Sequence, residues 1–352
     1  MKGRLIVLGE VRGREAAGLI VDGRLEDLLV AGPEDFAPAP GAIYRAVVDR
    51  QVKGQGGVFL KLPEGGKAFL RETSGLAPGQ PVLVQVSGAA EPGKATPVTT
   101  RLLFKSRLAI VTPGAPGTNV SRRIKDADER ARLEAVAAGA MDGAAEDLGL
   151  ILRSAAEGVD EADLVEDIAT MRDLAEQVLE DVKGAPELLV DGAGPHETAW
   201  RDWSDPAPDA VEEGPRVAEA AGLDEMVEMI LRPEVELPGG GRMTIEPTRA
   251  LVAVDVNTGA DTSPAASLKA NIAAARDLPR QLRLRGLGGM VTVDFAPMPK
   301  RDRATLEQQL RAAFKGESAE TSLAGWTPLG NFELQRKRDR MPLAEALRGT
   351  TP

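Results

Sequence analysis

The 352-residue chain contains no cysteine and one histidine, His196. Without thiols there is no disulfide framework, thiolate zinc site, iron–sulfur cluster or cysteine nucleophile. With one imidazole a multi-histidine metal site is excluded, and a Ser–His–Asp triad would have to use His196, which sits in a polar stretch and reads as exposed. Aromatics make up only 3% of the chain. The N-terminal MKGRLIVLGEVRGRE has too short an apolar run for a signal peptide or membrane span. The expectation is a cytoplasmic protein with no membrane partner.

What is present is charge, unevenly placed. The net charge of −11 argues at first against nucleic acid. Residues 1–125, however, carry +7, residues 126–236 carry −23 and residues 237–352 carry +5. Two basic ends flank an acidic middle, whose simplest reading is solvated helices. The length suits two to three domains of about 100–200 residues each.

Residues 1–31 alternate and turn, with Asp22-Gly23 as a hairpin signal. A Pro-rich junction follows at 33–41. Five short runs between 42 and 104, separated by Gly/Pro turns, predict a small β-barrel. A strand at 107–112, a Gly/Pro loop, a helix from Ser121, a strand at 148–156 and a helix over 160–183 come next. Residues 192–216, rich in Gly, Pro, Asp and Trp, read as a long loop, with Trp200 and Trp203 as a local cap. Gly239–Gly241 reads as a hairpin turn. Residues 249–295 then predict a strand, a helix kinked at Pro279 and a second strand, a β–α–β unit whose strands run parallel.

Three groups of residues carry chemistry. Asp255 and Asp294 each end a strand of that unit, with Asn257 two residues beyond the first. Parallel neighbours bring both carboxylates to one sheet edge. Two hard oxygen ligands suit Mg²⁺, with Mn²⁺ also fitting; alternatively both aspartates are turn or cap residues. Phe59 and Phe69 lie on adjacent strands of the barrel module, with Lys53, Lys61, Lys67, Arg71 and Lys94 around them in sequence. Such a pattern suits stacking of single-stranded bases; alternatively both are core residues. Arg122 and Arg123, with Arg153-Ser154, form a candidate phosphate site, or simply a basic surface pair.

At VAVDVNTG and RQLRLRGLGGMVTVDF the chain resembles the ribonuclease E/G family of Mg²⁺-dependent endoribonucleases. The resemblance extends through GAIYRAVVDR to GGKAFL, NVSRRI, LRSAA and LGNFELQRKR, and points to a short, ribonuclease G-like member. It implies an α/β multidomain fold: an RNase H-like domain (1–32 and 185–236) with an inserted OB-fold barrel (33–105) and 5′-end sensor (106–184), then a DNase I-like catalytic domain (237–352). It implies that Asp255 and Asp294 hold the metal and Asn257 supports it, and that Phe59, Phe69 and Lys94 contact RNA. It further implies a 5′-phosphate sensor of Arg122, Arg123, Arg153, Ser154 and either Arg336 or Arg338. The activity implied is cleavage of single-stranded RNA by metal-activated water, leaving 5′-phosphate and 3′-hydroxyl ends, in processing or turnover of rRNA or mRNA.

Departures from the family pattern shape further expectations. The zinc-linker cysteines are missing and the chain stops soon after Arg340. No zinc, no zinc-linked dimer and no degradosome scaffold are therefore expected. Ala260, Ala273 and Pro297 stand where the family carries basic, acidic and acidic residues respectively. They keep open a catalytically weak or inactive RNA-binding protein of the same family.

Overall fold

The computed structural model describes residues 2–33, 38–51, 56–71, 75–91, 93–214 and 216–350. The chain divides into two compact units, residues 35–210 and residues 1–34 with 211–352. Both mix helix and sheet.

In the 35–210 unit, the runs between 42 and 104 close into a five-stranded, OB-like barrel. Ile43–Gln51 pairs with both Val58–Lys61 and Pro81–Val86. Lys67–Leu70 and Thr96–Thr99 complete the ring. Alternate residues such as Val48, Val58, Leu60, Ala68, Leu70 and Val84 fill the interior, the period-two pattern a barrel requires.

A further strand, Glu187–Val190, pairs with Ile43–Gln51. Glu187–Val190 thus lies in the 35–210 unit, which the chain leaves near 211. The reason is a charge contact that local patterning does not reveal. The buried Arg45 guanidinium binds the carboxylates of Asp181 and Glu187 and holds this stretch to the barrel.

The same unit has a second, four-stranded sheet. Leu148–Leu152 lies between Ala109–Pro113 and Gly117–Val120, packed with helices Ala127–Ala140 and Glu161–Glu180 through Leu133, Leu164 and Ile168. A Cβ on Gly149 would overlap the Ala115 carbonyl oxygen, so only glycine lets the strand pass this turn. The loop expected over 192–216 is not a loop throughout. Pro195–Trp203 is a helix and Ala210–Glu213 a strand. Proline suits the first helical turn, and Ala199 and Trp203, four residues apart, bury one face. The Gly and Pro residues that suggested a loop flank the helix instead of interrupting it.

The other unit begins with the meander Arg4–Val11, Arg14–Val21 and Arg24–Val30. Arg12-Gly13 and Asp22-Gly23 both have left-handed φ at their turns, as type I′ hairpins demand. Its second sheet has six strands: Glu234–Glu236, Arg242–Pro247, Val252–Asn257, Gly289–Asp294, Phe332–Arg336 and Thr321–Trp326, in that spatial order. Only the central pair is parallel, joined by the helix Pro264–Leu284, which Pro279 does not end. Ala270, Ala274, Leu278 and Leu282 of that helix join Val254, Val291 and Val293 in one core. The central strands alternate buried with open positions, so one face of each carries the core and the other is free for polar side chains.

Candidate functional site

Asp255 and Asp294 are direct register partners across the two parallel strands. Strand neighbours lie about 4.8 Å apart, so the exposed carboxylates stand side by side on the open sheet face. Asn257, two residues along and on the same face, donates its side-chain N–H to the Asp255 carboxylate at 2.5 Å. Arg242 is the register partner of Asn257 on the adjacent antiparallel strand, and Thr244 of Asp255. Arg242 therefore shares this face, and its guanidinium lies 3.7 Å from the Glu234 carboxylate on the outer strand. Sequence reasoning missed it because only the antiparallel register places it there. An open cavity of about 1070 Å³ starts at Asn257 and Arg242 and runs past the strand ends to Ser267 and Pro297. Neither Asp255 nor Asp294 lines it.

On the barrel, Phe59 and Phe69 are also register partners. Their ring centroids are 5.4 Å apart and the Arg50 guanidinium stands 5.2 Å from the Phe59 centroid. Each ring is half-buried while Val58, Leu60, Ala68 and Leu70 beside them point inward, so neither is a core residue. Gly57 leaves room for the Phe69 ring, because a Cβ there would overlap its edge. Both rings line a cavity of about 950 Å³ with Arg50, Lys61, Lys67 and Lys94. Lys61 pairs with Asp49 at 3.2 Å and Lys94 with Glu91 at 2.8 Å. Lys53 lies outside the described residues.

The third group also converges. Arg153 donates to the carbonyl oxygens of Ser106 at 2.8 Å and Arg201 at 3.1 Å, and to the Asp202 carboxylate at 2.8 Å. The Ser154 hydroxyl donates to Asp205, which Arg123 also reaches at 3.2 Å. Arg122 is exposed. Burial works against the charge on Asp202, but Arg201 and Arg153 more than offset it and hold its pKa below the usual carboxylate value.

The sequence profile of the ribonuclease E/G family matches residues 104–212 and 204–339. The chain belongs to the ribonuclease E/G family. It is 30% identical to ribonuclease G of Escherichia coli (strain K12) and of Salmonella typhimurium, over 89% of this chain and 75% of each relative. It is 29% identical to ribonuclease E of Nostoc sp., over 94% of this chain and 53% of the relative. The chain thus spans about half the length of that ribonuclease E.

For a ribonuclease E/G member, two expected sensor residues are placed unexpectedly. Arg336 is 1% exposed. Its guanidinium is taken up by the Leu287 carbonyl at 3.0 Å, Glu317 at 3.3 Å and Asp339 at 3.5 Å. Its Nη atoms are thus engaged inside the protein, while its buried Nε has no hydrogen-bond partner among the described residues. Arg338 packs against Gly289 of the central sheet, where a Cβ would meet its guanidinium. Of the departures, Ala260 is exposed, Ala273 is half-buried in the long helix and Pro297 lines the cavity. His196 lies in the first turn of the helix Pro195–Trp203. Among the described residues no helix is long and apolar enough to cross a membrane.

Proposed function

We propose that this chain is an endoribonuclease that hydrolyses single-stranded RNA, with Asp255 and Asp294 holding a Mg²⁺ or Mn²⁺ ion. The register pairing of the two carboxylates on an open sheet face carries this reading. Among the described residues no group of three or more His, Asp or Glu is gathered to hold an ion. The site is therefore a shallow two-carboxylate platform. That donor set fits Mg²⁺, which takes one or two carboxylates and leaves its other positions to water and phosphate. When bound, such a cation neutralises charge on a phosphoryl oxygen and lowers the pKa of water.

The protein's own residues do the rest. Asn257, by donating to Asp255, fixes the rotamer of that carboxylate, as outer hydrogen bonds do at metal sites. Arg242, beside it, is placed to take a phosphodiester oxygen through a charge-assisted hydrogen bond. It offers the positive charge that Ala260 does not. In the hydrolysis a water oxygen bonds to phosphorus, the P–O3′ bond breaks and the 3′ oxygen gains a proton. The ends are a 5′-phosphate and a 3′-hydroxyl. Phe59 and Phe69 give successive bases a stacking surface, and Lys61, Lys67 and Lys94 follow the backbone. Arg122, Arg123, Arg153 and Ser154 form an anion site of the kind a 5′-terminal phosphate would enter.

The test is a gel of end-labelled single-stranded RNA with added Mg²⁺, with a chelator, and with Mg²⁺ restored. Cleavage is expected only when the divalent ion is present, with full recovery on its return. RNA that is bound but never cut would favour the non-catalytic reading that Ala260, Ala273 and Pro297 motivate.

For the barrel, Phe59→Ala and Phe69→Ala are each expected to weaken binding of a labelled single-stranded oligonucleotide by about 1–3 kcal/mol. Because both rings are half exposed, the thermal midpoint should shift little. Unchanged anisotropy titrations in folded variants would remove the stacking surface from the proposal.

A further inference from the structure

The cavity beyond the strand ends carries chemistry that hydrolysis does not use. Its volume of about 1070 Å³ lies at the top of the range for small-ligand sites, about 300–1,000 Å³. Leu237, Pro264, Pro297 and Met298 give it apolar walls. Its charged lining residues are Glu234, Glu236 and Arg242, a net negative set that does not suit a phosphate. Ser267 is 4% exposed yet lines the cavity. Its backbone N–H is taken by the Ser263 carbonyl at 2.9 Å, while its hydroxyl has no hydrogen-bond partner among the described residues. A buried hydroxyl open toward a cavity is a donor and acceptor that a ligand or water must satisfy.

The walls are set before any ligand arrives, which lowers the cost of binding. The fully buried Asn271 donates to the Ala296 carbonyl and accepts the Ala296 N–H, both at 2.9 Å. This ties the segment carrying Pro297 and Met298 to the long helix. On the opposite side a Cβ on Gly259 would lie 2.3 Å from the Gly240 carbonyl oxygen, so glycine lets two loops meet backbone to backbone. Asn257 and Arg242 line the cavity and also belong to the carboxylate face. Asn257 lies two residues, about 7 Å, along the strand from Asp255. An RNA strand with a phosphodiester at the carboxylates therefore brings the base of an adjoining nucleotide to the cavity mouth.

We propose that this cavity is a nucleobase site: it takes the base of one nucleotide flanking the cleaved phosphodiester, packs it against Pro297 and Met298, and reads its edge through the Ser267 hydroxyl. This rests on the reading of Asp255 and Asp294 as the place of cleavage. Stacking on the barrel tolerates any base. A walled site with one fixed polar group instead makes cleavage depend on the base at a single position. Ser267 is then a specificity-determining residue that touches no reacting atom.

The experiment uses the full chain and single-stranded RNA oligonucleotides cut at one phosphodiester. Each nucleotide flanking the cut carries in turn each of the four bases or none. Cleavage rates are measured with Mg²⁺, and dissociation constants by anisotropy in chelator. At one flanking position the best base should be cut at least about tenfold faster than the abasic nucleotide by wild-type protein. Ser267→Ala removes the hydroxyl and should bring the four bases within about twofold of one another there. Ser267→Leu fills the cavity and should bind and cut base-bearing oligonucleotides no better than the abasic one. Both variants should treat the abasic oligonucleotide as wild type does, because no base then enters the cavity. If Ser267→Leu does not fold, Ser267→Ala is read alone.

Wild-type rates indifferent to the base at both flanking positions would overturn the proposal. So would a base preference that survives unchanged in folded Ser267→Ala, since the base would then be read elsewhere. Equal slowing of base-bearing and abasic oligonucleotides, the result expected if Ser267 merely supports the helix, would overturn it too. Failure of wild-type protein to cut any oligonucleotide would defeat the cleavage reading as a whole and this inference with it. Cleavage without base preference defeats this inference alone.

Discussion

Exchanging Asp255 or Asp294 for asparagine is expected to slow RNA cleavage by at least about a hundredfold, or about 2.7 kcal/mol of barrier. Each change removes one of two charged oxygen donors and preserves side-chain size. The open sheet face imposes no packing cost, since both residues are exposed. Affinity for single-stranded RNA should stay within about twofold, because the proposed stacking and backbone contacts lie elsewhere. Glu246→Gln is the control. Glu246 is exposed on the neighbouring strand, opposite Ala253, and should retain wild-type rates. Initial rates at saturating Mg²⁺ check the pair. Cleavage within tenfold of wild type for either aspartate variant would move the metal site elsewhere on the molecule.

The two catalytic candidates were legible in sequence for a local reason. Each ends an apolar run, and strand–helix–strand order makes those runs parallel, so both aspartates arrive at one edge. The barrel was legible because its period-two pattern and Gly/Pro turns are local too. What could not be read depended on contacts distant in sequence. Arg242 joins the site through an antiparallel register with Asn257. The strand Glu187–Val190 is drawn to the barrel by Arg45, more than 130 residues earlier. The helix Pro195–Trp203 is short, and its boundaries carry the same Gly, Pro and Asp that mark loops.

Arg336 shows the same limit from the other side, and its replacement is expected to have the largest effect on stability. In sequence it is one basic residue in a run of them, LQRKRDR, where a solvent-facing role is as natural as any. In the structure it ends the strand Phe332–Arg336 on the buried side, following Phe332 and Leu334 at period two. Its charge is compensated mainly by Glu317, itself 6% exposed, which is also held by Arg283. Removing one partner of a buried pair leaves a desolvated charge behind and costs about 3–5 kcal/mol. Arg336→Met fills much of the volume, and Arg283 still faces Glu317, so the loss should fall near the lower end, about 3 kcal/mol. Denaturant titration measures it. Arg336→Met/Glu317→Gln should recover part of the loss, because neutralising Glu317 removes the charge left short of a partner. A sensor role predicts the opposite pattern. Arg336→Met would then be as stable as wild type and would selectively lose affinity for 5′-phosphorylated RNA. Burial favours the stability outcome: a guanidinium this enclosed reaches a phosphate only if the strand that carries it leaves the sheet.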